Sequence, residues 1–201
     1  GAQQVFDTIE GNKMRVVSVL GDSTFFHTGI NSLLDVAYNK SNLITVVLDN
    51  RITAMTGQQD NPGSGLTIQG EVTEAVSIEA IARAFGFRNV RVINPNQLDE
   101  VKDALDWALG LQEPSVIITR WPCALKKQTA IDKEEFKGSF TSVYWVNEEI
   151  CIGCKKCTRT GCPAIVFQFA KKKSSIDPEK CVGCSVCAQV CPVQAIQKVE
   201  A

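Results

Sequence analysis

Cysteines near the carboxyl end constrain the folding of this chain more than any other feature. They form two runs, Cys151, Cys154, Cys157 and Cys162 in the first, and Cys181, Cys184, Cys187 and Cys191 in the second. In each run, three thiols stand at positions i, i+3 and i+6, so one tight loop can direct all three at the same metal centre. The fourth cysteine of each run is followed by proline, Pro163 or Pro192. The repeated pattern predicts a duplicated metal-binding unit.

The spacing of these runs predicts two [4Fe–4S] clusters. In chains that carry two such clusters, the cysteine before the proline ligates the other cluster. The expected ligands are Cys151, Cys154, Cys157 and Cys191 for cluster 1, and Cys181, Cys184, Cys187 and Cys162 for cluster 2. The first run has one extra residue before its last cysteine, which predicts a bulge near Gly161. Over residues 140–201 the chain resembles bacterial-type two-cluster ferredoxins, which implies a small α+β domain there.

Cysteines at this density are also compatible with two different kinds of structure. One is a disulfide framework in a secreted domain, and the other is a pair of zinc sites. Zinc sites take four ligands arranged in pairs, whereas these runs are triplets with Cys-Pro after each. Gly153 and Gly183 stand at matching positions in the two triplets, where each relaxes a tight loop. The iron–sulfur interpretation is therefore favoured.

Composition excludes several classes of protein. The net charge of −1 predicts no nucleic-acid partner and no acidic membrane surface as partner. No apolar run approaches the roughly 20 residues of a membrane span, so no membrane segment is expected. Nine cysteines, eight of them in cluster spacing, indicate a reducing cytoplasm. The sequence begins with Gly1, and we expect it to be a fragment of a longer polypeptide.

Strand and helix patterns alternate along the first part of the chain. Apolar runs of strand length occur at 13–20, 43–48, 90–93 and 115–119, and helical spacing occurs at 2–9, 29–39, 78–85 and 97–111. This alternation predicts an α/β domain over residues 1–125, with a parallel sheet and helices on both faces. Residues 126–139 are expected to form a linker and residues 140–201 the cluster domain. The polar loop at 56–70 is too long to be a simple connector.

Polar residues follow two of the predicted strands. Gly21-Asp22-Ser23 ends the first strand and Asp49-Asn50-Arg51-Ile52 ends the second. Loops at the carboxyl ends of neighbouring parallel strands meet in one crevice, where a carboxylate and an amide oxygen suit Mg²⁺. A helix starting near Thr28 would direct its first amides at the phosphates of a ligand. The simpler alternative is a strand-end turn with Asp22 as a helix cap.

The two strand-end sequences, 26 residues apart, resemble the thiamine-diphosphate-binding motif, with Ser23 in place of its second glycine and Asp49 in place of its first asparagine. The resemblance implies a Mg²⁺ ion held by Asp22, by the side chain of Asn50 and by the backbone carbonyl of Ile52. It also implies diphosphate contacts from Gly21, Ser23, Met55, Thr56 and Gly57.

The motif and the cysteine tail together resemble the 2-oxoacid:ferredoxin oxidoreductases, most closely the C-terminal part of the alpha subunit of the indolepyruvate type. Residues 21–30, residues 47–58 and the tail carry this resemblance. It implies oxidative decarboxylation of an aryl 2-oxoacid with coenzyme A, electron transfer to ferredoxin, and a beta subunit in a hetero-oligomer. It also implies that an earlier domain supplies the glutamate that activates the cofactor.

Three further functions are compatible with the same features. A relative acting on pyruvate or 2-oxoglutarate, a non-oxidative decarboxylase and a non-catalytic electron-transfer subunit all remain open at this stage.

Some single residues have both a functional and a structural interpretation. His27 is the only histidine and stands five residues after Asp22; it is either a proton donor or substrate contact, or a hydrogen-bonded residue at a helix start. Cys123 is expected to be a small buried side chain, with a redox role as the alternative. Phe25 and Phe26 are expected in the core, with an aromatic substrate wall as the alternative. Lysines 155, 156 and 171–173 are expected on a solvated face, with steering of an acidic ferredoxin as the alternative.

Overall fold

The computed structural model describes residues 1–137 and 140–199. It divides into two compact units, Gly1–Gln128 and Thr129–Ala201. Residues 138 and 139 of the predicted linker, and residues 200 and 201 of the predicted cluster domain, lie outside the described residues. None of the described helices is long and apolar enough to cross a membrane.

The first unit is built around a four-stranded parallel sheet. Its strands are β1 Val17–Gly21, β2 Ile44–Asp49, β3 Asn89–Ile93 and β4 Ser115–Arg120, in the order β1-β2-β4-β3. Its helices are α1 Ala2–Thr8, α2 Asp22–Thr24, α3 Ile30–Tyr38, α4 Ile78–Ala84 and α5 Leu98–Gly110. All three strand pairs are parallel, as the alternating pattern predicts. The α/β fold class is therefore confirmed.

Each face of the sheet has its own core. On one face, a cluster that includes Phe25, Leu33, Ile78 and Ala82 packs against Val47, Val116 and Ile118. On the other face, Ala104 and Ala108 of α5 pack against Ile44, Val46 and Ile117. Full burial of a valine, leucine, isoleucine or phenylalanine side chain contributes about 1.5–3 kcal/mol, so both layers stabilise the sheet.

The edge strand β1 departs from the expectation of a sheet covered on both faces. Val17 is 44% exposed and Val19 is 59% exposed, although both belong to the nearly continuous apolar run that predicted a buried strand. Their register partners Ile44 and Val46 lie one strand further in and are buried. Cover is therefore more extensive over the central strands than over the edge strand, although Leu48 near the end of β2 is 46% exposed.

A continuous helical segment begins directly at the end of β1. It consists of α2, a π turn at Phe25–Gly29, and α3. The expected start near Thr28 was therefore wrong by six residues. Gly21 takes an extended conformation and Asp22 occupies the first helical turn, where a carboxylate interacts favourably with the helix dipole. The π turn obscures the helical period in the sequence.

The second unit contains α6 Ala130–Glu135, α7 Val186–Gln189, and two antiparallel strand pairs, β5 Tyr144–Val146 with β8 Ile196–Lys198, and β6 Ile165–Gln168 with β7 Lys173–Ile176. Helix α6 lies inside the predicted linker. Its start is fixed by a reciprocal capping box, in which the Thr129 hydroxyl accepts the Asp132 amide at 3.2 Å and Asp132 Oδ2 accepts the Thr129 amide at 2.9 Å.

The two cysteine loops have nearly the same backbone geometry. Gly153 and Gly183 have φ values of +67° and +70°. A Cβ atom at either position would lie 2.3 Å from a carbonyl oxygen, that of Lys172 or that of Ser142. Only glycine fits both the left-handed backbone and the close approach. The loops diverge after the triplets, because the first run forms a 3₁₀ turn at Cys157–Thr160 that Gly161 ends in the left-handed region, whereas the second forms α7.

Candidate functional site

Asp22 lies at the carboxyl edge of the sheet and is 2% exposed. Its Oδ1 accepts the Ser23 amide at 2.8 Å, and its Oδ2 accepts Nδ2 of Asn61 at 3.0 Å. Burial raises the pKa of this carboxyl group, although the hydrogen bonds from Asn61 and Ser23 partly offset that rise. A bound cation would stabilise the ionised form of this carboxyl group, which burial disfavours. Asp22 therefore has the properties of a ligand for a hard metal ion.

The backbone of Ile52 interacts with the side chains of both Asn50 and Asp22. The amide of Ile52 donates to Asn50 Oδ1 at 3.1 Å, and a hydrogen bond from the same residue's backbone also lowers the pKa of Asp22. The ends of β1 and β2 therefore bring together the two side chains that the sequence assigned to a metal ion. A second link joins the same loops, because the Thr53 hydroxyl donates to the Ser23 hydroxyl at 2.8 Å.

Asp49 stabilises the strand ends from inside the protein. Its Oδ2 accepts Nε of Arg120 at 2.8 Å, and the Arg51 guanidinium lies 3.6 Å away. Asp49 is 2% exposed, so the two cations compensate a buried charge. Arg51 has a left-handed backbone with φ of +61°, a conformation that is uncommon outside glycine. These contacts fix the turn that carries Asn50 and Ile52.

The turn at Met55, Thr56 and Gly57 lies at the surface. Met55 is fully exposed, and the turn is closed by a side-chain bond from the Thr56 hydroxyl to Gln59 Oε1 at 2.6 Å. Two backbone hydrogen bonds between Thr53 and Gln59 form the base of this small hairpin. The three residues of this turn that are predicted to contact a diphosphate therefore belong to a preformed loop, and the first of them lies three residues after Ile52.

Asn61 is a site residue that sequence reasoning missed. It lies in the polar loop, is 9% exposed, and uses Nδ2 to bind Asp22 while Oδ1 accepts the Gly63 amide at 2.9 Å. The Arg51 guanidinium donates to the Gly63 carbonyl at 3.0 Å, and this hydrogen bond attaches the polar loop to the turn after β2. The only sequence signal was the unusual length of this loop, because no fixed spacing relates Asn61 to Asp22.

The side chains that follow Asp22 have different surroundings. His27 lies exposed on the π turn. Phe25 is fully buried in the core, as expected, and Phe26 packs edge-on against it at 5.5 Å between ring centroids. A Cβ atom at Gly63 would lie 3.0 Å from the Phe26 ring, so this ring also contacts the polar loop.

Cys123 is only partly buried, contrary to expectation, and its amide donates to the Asn50 carbonyl at 3.0 Å.

The eight tail cysteines fall into two groups of four in the second unit. One cavity is lined by Cys151, Cys154, Cys157 and Cys191. In the other group, burial and the neighbouring Cys184, Cys162 and Cys181 raise the pKa of Cys187 to about 12. Both groupings match the crossed ligand sets expected from the sequence. Among the described residues, no three histidine, cysteine or acidic side chains converge closely enough to hold a single metal ion.

Hydrogen bonds reach the sulfur atoms of both groups. The Tyr144 amide donates to Cys181 Sγ at 3.4 Å, and the Ala195 amide donates to Cys191 Sγ at 3.3 Å. The Cys157 thiol donates to the buried hydroxyl of Ser174 at 3.2 Å. The two amide donors favour thiolates, which are the form that iron requires, and a ligated Cys157 thiolate would accept a hydrogen bond from Ser174. The cysteine loops therefore fit the clusters that their spacing predicts.

Comparisons with known proteins agree with this division into two sites. Residues 1–119 match the family described as thiamine pyrophosphate enzyme, C-terminal TPP binding domain, and residues 144–198 match the 4Fe-4S dicluster domain. Relatives named indolepyruvate oxidoreductase subunit IorA are 45% identical over 93% of this chain in Pyrococcus horikoshii and 43% identical over 98% in Pyrococcus abyssi.

The chain spans less than a third of these relatives, 28% and 30% of their lengths. A solved structure of 2-oxoglutarate:ferredoxin oxidoreductase from Magnetococcus marinus shares 15% identity, covers 59% of this chain and 44% of its own, and has a TM-score of 0.49. The matched families and the two sites give one conclusion: the chain belongs to the thiamine pyrophosphate enzymes through its TPP-binding domain, and it carries a 4Fe-4S dicluster domain in the same polypeptide.

Proposed function

We propose that this chain is part of the catalytic subunit of a 2-oxoacid:ferredoxin oxidoreductase. The observation that carries the proposal is the presence, in one polypeptide, of a TPP-binding domain and a dicluster domain. The first activates a 2-oxoacid, and the second accepts the electrons released on decarboxylation. Bound thiamine diphosphate supplies the electron sink for this reaction.

In this proposal the strand-end site anchors the cofactor. Asp22, the Asn50 side chain and the Ile52 carbonyl hold a Mg²⁺ ion, which neutralises the diphosphate. Gly21, Ser23, Met55, Thr56 and Gly57 contact the diphosphate itself. The buried ion pairs of Asp49 keep the Asn50 turn in place, so the metal site costs little reorganisation when the cofactor binds.

The cysteine groups form the electron relay. Cys151, Cys154, Cys157 and Cys191 hold cluster 1, and Cys181, Cys184, Cys187 and Cys162 hold cluster 2. The external acceptor is ferredoxin, coenzyme A receives the acyl group, and a beta subunit completes the hetero-oligomer. The thiolate ligands suit a reducing cytoplasm.

The substrate in this proposal is an aryl 2-oxoacid of the indolepyruvate type. Its support is the name of the relatives, since Phe25 is buried in the core and does not line a substrate site. Burial of an indole ring would contribute several kcal/mol that the methyl group of pyruvate lacks. His27, exposed on the π turn, is the proposed proton donor or substrate contact.

The test is to compare kcat/KM for indolepyruvate, phenylpyruvate, 2-oxoglutarate and pyruvate in the complete enzyme, with coenzyme A and ferredoxin. Preference for the aryl acids is expected. Equal or better use of pyruvate would remove the aryl assignment and leave the oxidoreductase class standing. Turnover that needs no ferredoxin would indicate a non-oxidative decarboxylase instead.

A further inference from the structure

The two cysteine loops can be compared position by position. Gly153 approaches the carbonyl of Lys172 in the same way as Gly183 approaches that of Ser142, at the same 2.3 Å from an added Cβ. Each loop and the turn opposite it therefore form one half of a pseudo-symmetric unit, with equivalent positions 30 residues apart. Differences between the halves are departures from a shared scaffold.

The largest difference is charge. Lys155 and Lys156 follow Cys154 in the first half, whereas Ser185 and Val186 follow Cys184 in the second. The turn opposite the first loop contains three consecutive lysines, 171–173, and the equivalent turn opposite the second loop has Thr-Ser-Val at 141–143. The first loop and its opposite turn therefore carry five lysines at positions whose equivalents in the second half are neutral.

The acidic residues of the first half offset only part of this charge. Glu148 pairs with Lys171 at 2.8 Å, and Glu149 is exposed beside it. The Lys173 ammonium donates to the carbonyl of Cys151. Lys155, Lys156 and Lys172 are exposed, so the first half has an outward positive charge.

Exposure differs in the same direction. Cys154 is exposed and its counterpart Cys184 is partly buried. Ile152 is 63% exposed, against 37% for its counterpart Val182. A solvent-exposed ligand shortens the path between a cluster and a docked protein, so the first half is the better point of electron exit.

An exposed aromatic ring completes the surface. Phe169 is 77% exposed and packs edge-on against Phe167 at 5.2 Å between centroids. The Lys155 ammonium lies 4.4 Å from the Phe167 centroid and 5.0 Å from that of Phe169. An apolar centre with a charged rim is the anatomy of a protein–protein interface. Lysines at the rim select an acidic partner and accelerate its approach.

We propose that this surface, which we call the cluster 1 face (Ile152, Cys154, Lys155, Lys156, Phe169 and Lys172), is the docking site of a small acidic electron-carrier protein. Cluster 1 is then the terminal cluster of the relay. One electron leaves reduced cluster 1 and reduces an oxidised iron–sulfur centre of the carrier, and no proton or bond is exchanged. The inference rests on the proposed function for the electron supply, and it adds the partner's charge and the direction of transfer.

The test uses charge reversal in the cluster-loaded chain reduced with dithionite, which bypasses the 2-oxoacid reaction. A strongly acidic two-cluster ferredoxin in its oxidised form is the probe, and stopped-flow absorbance follows its reduction at low ionic strength. The Lys155→Glu/Lys156→Glu variant should lower the second-order rate at least tenfold and lose most of its salt dependence. Reduction of duroquinone, a small neutral acceptor that surface charge does not steer, should be unchanged.

Lys180→Glu/Lys198→Glu is the matched control, because it changes the net charge equally within the same unit, and Lys180 directly precedes Cys181 of the second half. This control should retain the original rate and salt dependence. An equal or larger effect in the control would overturn the proposal, as would an unchanged rate in the first variant.

Phe169→Ala distinguishes apolar contact in the complex from long-range attraction by the lysines. It should weaken the complex at high salt, where the charges of the lysines are screened. Failure of 2-oxoacid turnover with normal ferredoxin reduction would instead count against the proposed function alone.

Discussion

The two units prepare a place for a charged cofactor in different ways. In the second unit, each triplet of cysteines lies within seven consecutive residues, and glycines with left-handed φ shape the loops. In the first unit, the candidate ligands come from two strand ends, and a distant loop supplies a hydrogen bond to one of them. A cysteine loop thus depends mainly on local geometry, whereas the candidate metal site depends on the packed sheet.

The difference predicts separable losses of cofactor. Asp22→Ala should abolish Mg²⁺-dependent binding of thiamine diphosphate while both clusters remain, because the diphosphate cannot be buried without its neutralising ion. Calorimetric titration of the cofactor and iron analysis check the two halves of this prediction. Asp35→Ala, an exposed position on the same helical segment, is the control. Unchanged affinity in the Asp22 variant would mean that the motif is only a turn.

Asn50→Ala should have the same direction of effect as Asp22→Ala and a smaller size. It removes a neutral ligand and the turn bond to the Ile52 amide, while the buried carboxylate remains to attract the cation. The dissociation constant for thiamine diphosphate, measured across Mg²⁺ concentrations, should rise but stay measurable. An effect larger than that of Asp22→Ala would contradict the proposed division of roles.

The fourth ligand of each cluster is the exception to this dependence on local geometry, because it comes from the other cysteine run. Cys162→Ser should damage cluster 2, whose other ligands are Cys181, Cys184 and Cys187, and spare the cluster beside it in sequence. Iron content should fall from about eight to about four per chain under anaerobic conditions. Cys123→Ser is the control and should retain both clusters. Loss of the cluster held by Cys151 and its neighbours would reverse the assignment.

Asn61→Ala tests how far the metal site depends on a distant loop. The variant removes the side-chain hydrogen bond to Oδ2 of Asp22 and keeps the Ser23 amide on Oδ1, so the affinity for thiamine diphosphate with Mg²⁺ should fall about tenfold, or about 1.4 kcal/mol. Asn94→Ala is the matched control, because Asn94 closes the same kind of turn after the opposite edge strand, accepting the Asn96 amide at 2.9 Å. Equal effects of the two variants would assign Asn61 a merely structural role.

The smallest expected effect concerns Ser174. Its hydroxyl lies 3.2 Å from Cys157 Sγ and can donate to the ligated sulfur, which favours the more negative, reduced cluster. Ser174→Ala should therefore lower the potential of cluster 1, by about 30 mV for a threefold change in the equilibrium. Potentiometric titration followed by electron paramagnetic resonance resolves the two clusters. Ser175→Ala, whose hydroxyl bonds to the Val166 carbonyl, should leave the potential unchanged.

The contrast between local and distant contacts also decides which features could be predicted from the sequence. The cysteine triplets followed from spacing, because their thiols are periodic and close in sequence, and the crossed fourth ligands followed from the pattern of two-cluster ferredoxins. The parallel sheet followed from alternating apolar patterns, and the convergence of Asp22 and Asn50 followed from the rule that parallel strand ends meet. Asn61 was missed because its contact with Asp22 depends on the path of an irregular loop. The start of the helical segment was misplaced because a π turn breaks the 3.6-residue period that such predictions use.

In the proposed function, electrons from a 2-oxoacid are released at the thiamine diphosphate site and enter the clusters of the same polypeptide. The most direct measurement is an anaerobic single turnover of the complete enzyme, in which cluster absorbance is followed after the 2-oxoacid and coenzyme A are added without ferredoxin. We expect rapid bleaching of the clusters that requires thiamine diphosphate and Mg²⁺ and is absent in Asp22→Ala. Decarboxylation with the clusters still oxidised would contradict this electron path.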